Sequence, residues 1–241
     1  MKKVTSAALL ALKLTWTVAL TIFLLAGATQ AFFLFRELMP GGVPLQTTFG
    51  FETIVRSALH RSGMWWMMML VVLVGARTAA SKGSRTVYTM NRLGLSELQV
   101  TLIFGTVFTG YCLLYWAFQL LVAYGAFVWY SHFSLVSSNA LMLACWRSEW
   151  LHVLLPLAEW SGWLRNIAIC LSFGFFAAYG GTFARHGKSP LAPLIPLLLC
   201  FFLLSGGIGE AYTDLGLTVL LIGLTVGCFF ALKEETSHED L

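Results

Sequence analysis

Residues 77–99 read Arg77-Thr-Ala-Ala-Ser-Lys-Gly-Ser-Arg-Thr-Val-Tyr-Thr-Met-Asn-Arg-Leu-Gly-Leu-Ser-Glu-Leu-Gln99, a polar stretch set between two long apolar runs. Arg77, Lys82, Arg85 and Arg92 stand in it against a single acid, Glu97. Gly83 and Ser84 suit the start of a short helix with Ser84 as N-cap, and Val87, Met90 and Leu93 then recur at three-residue spacing along one side. Gly94 suits the left-handed conformation that closes a helix. Ser96 followed by Gln99 fits a reciprocal capping box, and Leu95 with Val100 fits its hydrophobic staple. The stretch therefore predicts a short helix over about 85–93, a sharp corner, and a long helix starting directly after Ser96.

Outward from that corner the chain is apolar. With 58% hydrophobic and 11% charged residues among 241, and a mean hydropathy of +0.79, it reads as several membrane spans rather than one soluble core. Six stretches qualify, about 14–35, 64–80, 98–130, 163–183, 191–207 and 215–232, against the ~20 residues that cross a bilayer. The expected fold class is thus an all-α integral membrane protein of six transmembrane helices, forming a single domain.

The first apolar run is too long for a secretory signal and reads as an uncleaved span, with Lys13 snorkelling to the surface. Between the first two spans, Pro40-Gly41-Gly42 and Pro44 mark a loop. Phe51, Ile54, Val55 and Leu59, opposed by Glu52, Arg56, His60 and Arg61, then predict a helix lying in the interface. Trp65 and Trp66 suit a membrane boundary, and Met67 to Met69 adaptable packing.

No Asp, Glu, Lys or Arg occurs from Leu98 through Trp146. Asn139 to Cys145 and Trp150 to Leu157 are each too short to span, so external interfacial or re-entrant helices are expected between the third and fourth spans, with Pro156 bending the second of them. Gly223-xxx-Gly227 permits close helix approach. The tail, 233–241, is acidic and expected to be disordered.

Of fifteen Lys and Arg residues, ten fall on the side of the termini, the 77–92 loop and the 185–188 turn. The remaining five, Arg36, Arg56, Arg61, Arg147 and Arg165, fall on the other. That bias predicts a multi-pass protein of the cell membrane with both termini cytoplasmic. A net charge of +4 spread over loops gives no basic stripe for nucleic acid. The five cysteines lack CxxC spacing and read as small packing residues.

Chemistry-bearing motifs are few. The sequence has no GxxxxGK[ST] phosphate loop, no HExxH and no GxSxG elbow, so no catalytic residue, metal site or resident cofactor is expected in this chain. Arg147, Glu149, His152 and Glu159 cluster in a tryptophan-rich apolar segment, where charges pair or face water. An external gate or cargo contact and a charged rim on an aromatic belt both stay open for them. Glu210 and Asp214 read either as an exit lining or, more simply, as a solvated short connection.

The segment Ser84-Arg-Thr-Val-Tyr-Thr-Met-Asn-Arg-Leu-Gly-Leu-Ser-Glu97, followed by a long aromatic span, resembles the link between the second and third spans of ABC-2-type transporter permeases. The resemblance implies that this segment is a cytoplasmic coupling helix. Arg85, Thr86, Tyr88, Met90, Arg92 and Leu93 would contact a separate ATPase subunit, with Gly94 and Ser96 setting the corner. It further implies a permease subunit exporting an amphipathic, peptide or lipid-like cargo. A second permease subunit, identical or not, completes the unit, surrounded by membrane lipid, and ATP and Mg are bound in the partner ATPase. Two rivals remain: an integral-membrane enzyme or maturation factor using Arg147, Glu149, His152 and Glu159, and a non-catalytic assembly or immunity protein.

Overall fold

The computed structural model describes residues 2–39, 50–79, 92, 94–132, 139–157, 159–185 and 211–239, and their regular elements are all helices. In chain order these are α1 (Lys2–Leu38), α2 (Phe51–Val55), a π-helical turn (Arg56–His60), α3 (Arg61–Ala79) and α4 (Glu97–Ser131). Then follow α5 (Ala140–Arg147), α6 (Glu149–Leu154), α7 (Trp160–Arg185) and α8 (Ala211–Glu239). Five helices are long and apolar enough to cross a membrane: Lys3–Leu38, Phe51–Thr78, Glu97–Ser131, Trp160–Arg185 and Ala211–Lys233. They coincide with five of the six expected spans, and the sixth, 191–207, lies outside the described residues. The chain is a multi-pass, membrane-associated helical protein.

The corner after residue 93 is built as its sequence dictates. Gly94 has φ 61°, the left-handed region that costs an L side chain dearly and glycine little. The Ser96 hydroxyl accepts from the Gln99 N–H, and the Gln99 side chain accepts from the Ser96 N–H. Val100 is buried and Leu95 packs against the same core, which completes the staple.

α7 is the hub, packed against α3, α4 and α8. It approaches α3 and α4 closely at points where glycine and alanine interrupt an inward face that also buries Phe173, Phe176 and Tyr179. A Cβ on Gly174 would fall on the backbone and hydroxyl of Thr109, and one on Gly181 on the hydroxyl of Thr78. Gly75 of α3 in turn lies against the Ala177 carbonyl. Gly223 and Gly227, by contrast, meet nothing within 4 Å among the described residues, whose close approaches centre on α7.

Contacts fix the helix directions. Arg165 meets Asp214 and Ser172 meets Thr225, so α7 and α8 run parallel and the described ends Arg185 and Ala211 lie at opposite ends of the pair. Thr101 meets Thr182 and Trp116 meets Trp163, so α4 runs antiparallel to α7. Lys3, Gly94, Glu97 and Arg185 share one end of the bundle, called here the basic end. Phe35, Phe51, Tyr130 and Trp129 share the far end.

Four expectations change. Phe51, Ile54, Val55 and Leu59 are buried as their pattern requires, yet the segment continues through the π turn into α3 instead of forming a separate interfacial helix. Two short helices, α5 and α6, do lie between the third and fourth spans, but Pro156 stops α6 rather than bending it. Leu155, just before the proline, is forced out of the helical region to φ −135°, ψ 79°, the steric effect of a following Pro ring. The tail is helical through Glu239, because Ala231, Leu232, Lys233, Glu234 and Glu235 are strong helix formers that simply prolong α8. Asp214 is the fourth: it belongs to the first turn of α8 and is buried, not a solvated connection.

Polar side chains hold the apolar helices in register. Gln30 of α1 donates to Gln119 of α4 at 2.7 Å, and Gln119 donates back at 3.3 Å. Trp66 donates to the Thr29 hydroxyl at 2.8 Å and Tyr115 to the Gly63 carbonyl at 2.9 Å. Gln30→Leu strands a buried amide and is expected to cost about 1–3 kcal/mol. The Gln30→Leu/Gln119→Leu double should recover most of that loss, read by unfolding the full chain in detergent micelles.

Candidate functional site

The most constrained charge in the chain is Arg165, one turn inside the start of α7. Its side chain is 1% exposed and pairs with Asp214, 2% exposed, at 2.7 Å. The same guanidinium donates to the Asn166 side-chain oxygen at 3.2 Å and 3.3 Å and to the Val153 carbonyl at 3.4 Å. Asn166 itself donates to that carbonyl at 2.6 Å.

The local reason is the early stop at Pro156. A helix end leaves its last carbonyls unpaired, and α6 ends at Leu154. Val153 offers its carbonyl to Arg165 and Asn166, and Leu154 offers its own to the Trp116 indole at 2.9 Å. The proline thus supplies acceptors that fix α6 to α7 and α4. A cavity of about 50 Å³ adjoins this knot, lined among others by Asn166, Gln119 and Trp150. It is large enough for a water or two.

A second charged tie stands at the basic end. Arg185 meets Glu97 at 3.3 Å and donates to the Thr182 hydroxyl at 3.0 Å. Thr182 and Thr101 share a hydrogen bond at 2.9 Å, and Thr101 donates to the Glu97 carbonyl at 2.9 Å. The first residue of α4, directly after the Gly94 corner, is therefore bound to the last residue of α7. α7 carries an ion pair at each end.

Of the expected coupling residues, Arg85, Thr86, Tyr88, Met90 and Leu93 lie outside the described residues. Arg92 is exposed, and Gly94 and Ser96 have the geometry given above. In the other expected cluster, Arg147 faces Glu52 of α2 at 3.7 Å. His152 is half-buried on α6, and one Glu159 carboxylate oxygen is buried with no partner among the described residues. No hydrogen bond or ion pair joins Arg147, His152 and Glu159 to one another among the described residues. The side chain of Glu149, and Glu210 as a whole, lie outside them.

Sequence reasoning missed Arg165 and Asn166, and read Asp214 only as an exit lining or a solvated connection, not as the partner of Arg165. Arg165 was counted among loop charges because it stands near the edge of an apolar run, although an ionisable residue inside a span is itself a signal. Comparison with protein-family models, curated proteins and solved structures finds no match to this chain.

Proposed function

We propose that this chain is the permease subunit of an ATP-driven exporter of the ABC-2 type, moving an amphipathic, peptide or lipid-like cargo. The observation that carries the reading is the tied corner: a left-handed Gly94 and a capped Ser96 lead into Glu97, which is paired to Arg185 at the end of the hub helix. A displacement of the 85–93 segment by an ATPase would pass through the corner to α4 and through the ion pair to α7. Because α7 packs closely on α3 and α4 at its glycines and is tied to α8 by hydrogen bonds, it would move with them as a rigid body. Its far end, bound through Arg165 to α6 and α8, would open or close the opposite face.

On this reading the protein has six spans. Arg185 and Ala211 lie at opposite ends of a parallel pair, and the 25 residues from 186 to 210 between them include the apolar run 191–207, which supplies the return crossing. Both termini are then at the basic end, which the excess of Lys and Arg makes cytoplasmic. A second permease subunit completes the pathway, and ATP and Mg are held by the partner ATPases.

Co-purification in mild detergent tests this. An ATPase subunit is expected to accompany the wild type, and a Tyr88→Ala/Arg92→Glu variant is expected to release it. Glu97→Gln should keep the ATPase bound while weakening the influence of the membrane subunit on its turnover. Absence of any associated ATPase from the wild-type preparation would falsify the proposal.

A further inference from the structure

Away from the hub helix, a polar pocket of about 160 Å³ lies where α2 and the π turn meet the α5–α6 junction. Its walls include Glu52, Arg56, His60, Arg147, Ser148 and Trp150. At ~30 Å³ per water the pocket admits a phosphate-sized group with some hydration, and it is smaller than the ~300–1,000 Å³ of drug-sized sites.

Its donors outnumber its acceptors. Arg56 and Arg147 bring two guanidiniums against one carboxylate, and Arg56 makes no ion pair among the described residues. Ser148 is 5% exposed and uses its hydroxyl oxygen to accept from the Leu151 N–H, which leaves its O–H proton to give. Trp150 is also 5% exposed, and its indole N–H has no partner among the described residues. A buried donor without an acceptor is costly, and Trp150 stands between this pocket and the smaller cavity beside Asn166. The His60 ring stacks on Trp150 at 5.3 Å, which holds the indole in place.

Glu52, the one acid among the described residues of the wall, is a weak incumbent. Glu52 meets Arg147 at 3.7 Å, with side chains 34% and 69% exposed, and pairs this open add little. The two arginines offer planar forks that match a tetrahedral oxyanion. The π turn that carries Arg56 and His60 is a rare element, frequent at functional sites.

We propose that this pocket binds a phosphate group, carried either by a lipid headgroup or by free inorganic phosphate. The oxyanion takes the Arg147 fork from Glu52 and accepts in addition from Arg56 and the Ser148 hydroxyl.

The test uses the full chain in maltoside micelles with two probes. Inorganic phosphate is titrated against chloride at equal ionic strength, followed by tryptophan fluorescence and calorimetry. Phosphatidylglycerol is compared with the diacylglycerol of the same chains, followed by native mass spectrometry. Saturable one-site binding is expected in at least one arm, weakened tenfold or more in Arg56→Gln/Arg147→Gln and strengthened several-fold in Glu52→Gln, which removes the competing carboxylate. Because loss of fold cannot raise affinity, the Glu52→Gln result separates binding from stability. Binding of phosphate alone identifies the free ion, and binding of the lipid alone identifies the headgroup. Binding in neither arm, binding unaltered in the double arginine variant, or weaker binding in Glu52→Gln overturns the proposal.

Discussion

Replacing Asp214 by alanine is expected to cost about 3–5 kcal/mol, the typical penalty for stranding one member of a buried ion pair. Among the described residues Arg165 would be left with two neutral acceptors, the Asn166 side chain and the Val153 carbonyl. Arg165→Met/Asp214→Leu should restore most of the stability, since apolar replacements of similar volume match a buried pair or exceed it. Thermal unfolding of the full chain in detergent gives the comparison. If Asp214→Ala proves neutral, or the double variant is no better than the single, the pair is not the anchor described here. A double variant that is stable yet fails to regulate an associated ATPase would show that the charges do more than hold α6, α7 and α8 together.

The second large effect is expected at Gly174. A Cβ there would stand 2.7 Å from the Thr109 Cα, and the obstruction is backbone, which cannot rotate aside. Gly174→Ala should lose about 1–3 kcal/mol, the usual cost of overpacking, and Gly174→Leu should lose more, because α4 and α7 must separate along their shared face. Gly223→Ala is the matched control. With nothing within 4 Å of that position among the described residues, it is expected to be neutral or to gain up to ~1 kcal/mol from helix propensity. Equal losses at the two glycines would contradict the assignment of α7 as the close-packed hub.

What could be read from the sequence was whatever operates over a few residues. The Gly94 turn and the reciprocal bonds of Ser96 and Gln99 span six residues, and hydropathy alone located the five described spans. Relations between distant residues were not readable. Arg165 and Asp214 are 49 positions apart, and neither has a local pattern that announces the other. Closeness in sequence also misled: Arg147 stands near Glu149, His152 and Glu159, yet its observed carboxylate partner is Glu52. Pro156 was expected to bend the second short helix, and it stops that helix at Leu154 instead. Its consequence, two freed carbonyls that capture Asn166, Arg165 and Trp116, depended on which helices pass beside it.

The 49-residue separation also sets an order of events during biosynthesis. At ~5–20 residues per second, Arg165 is made roughly 2.5–10 s before Asp214. Throughout that interval α7 must enter the bilayer with an unneutralised arginine. Its place, five residues from the start of the helix, lets the long side chain reach the headgroup layer while it waits. Arrival of α8 then draws the guanidinium inward and locks the bundle. A chain that ended before residue 214 would leave that arginine without the carboxylate it pairs with in the folded protein.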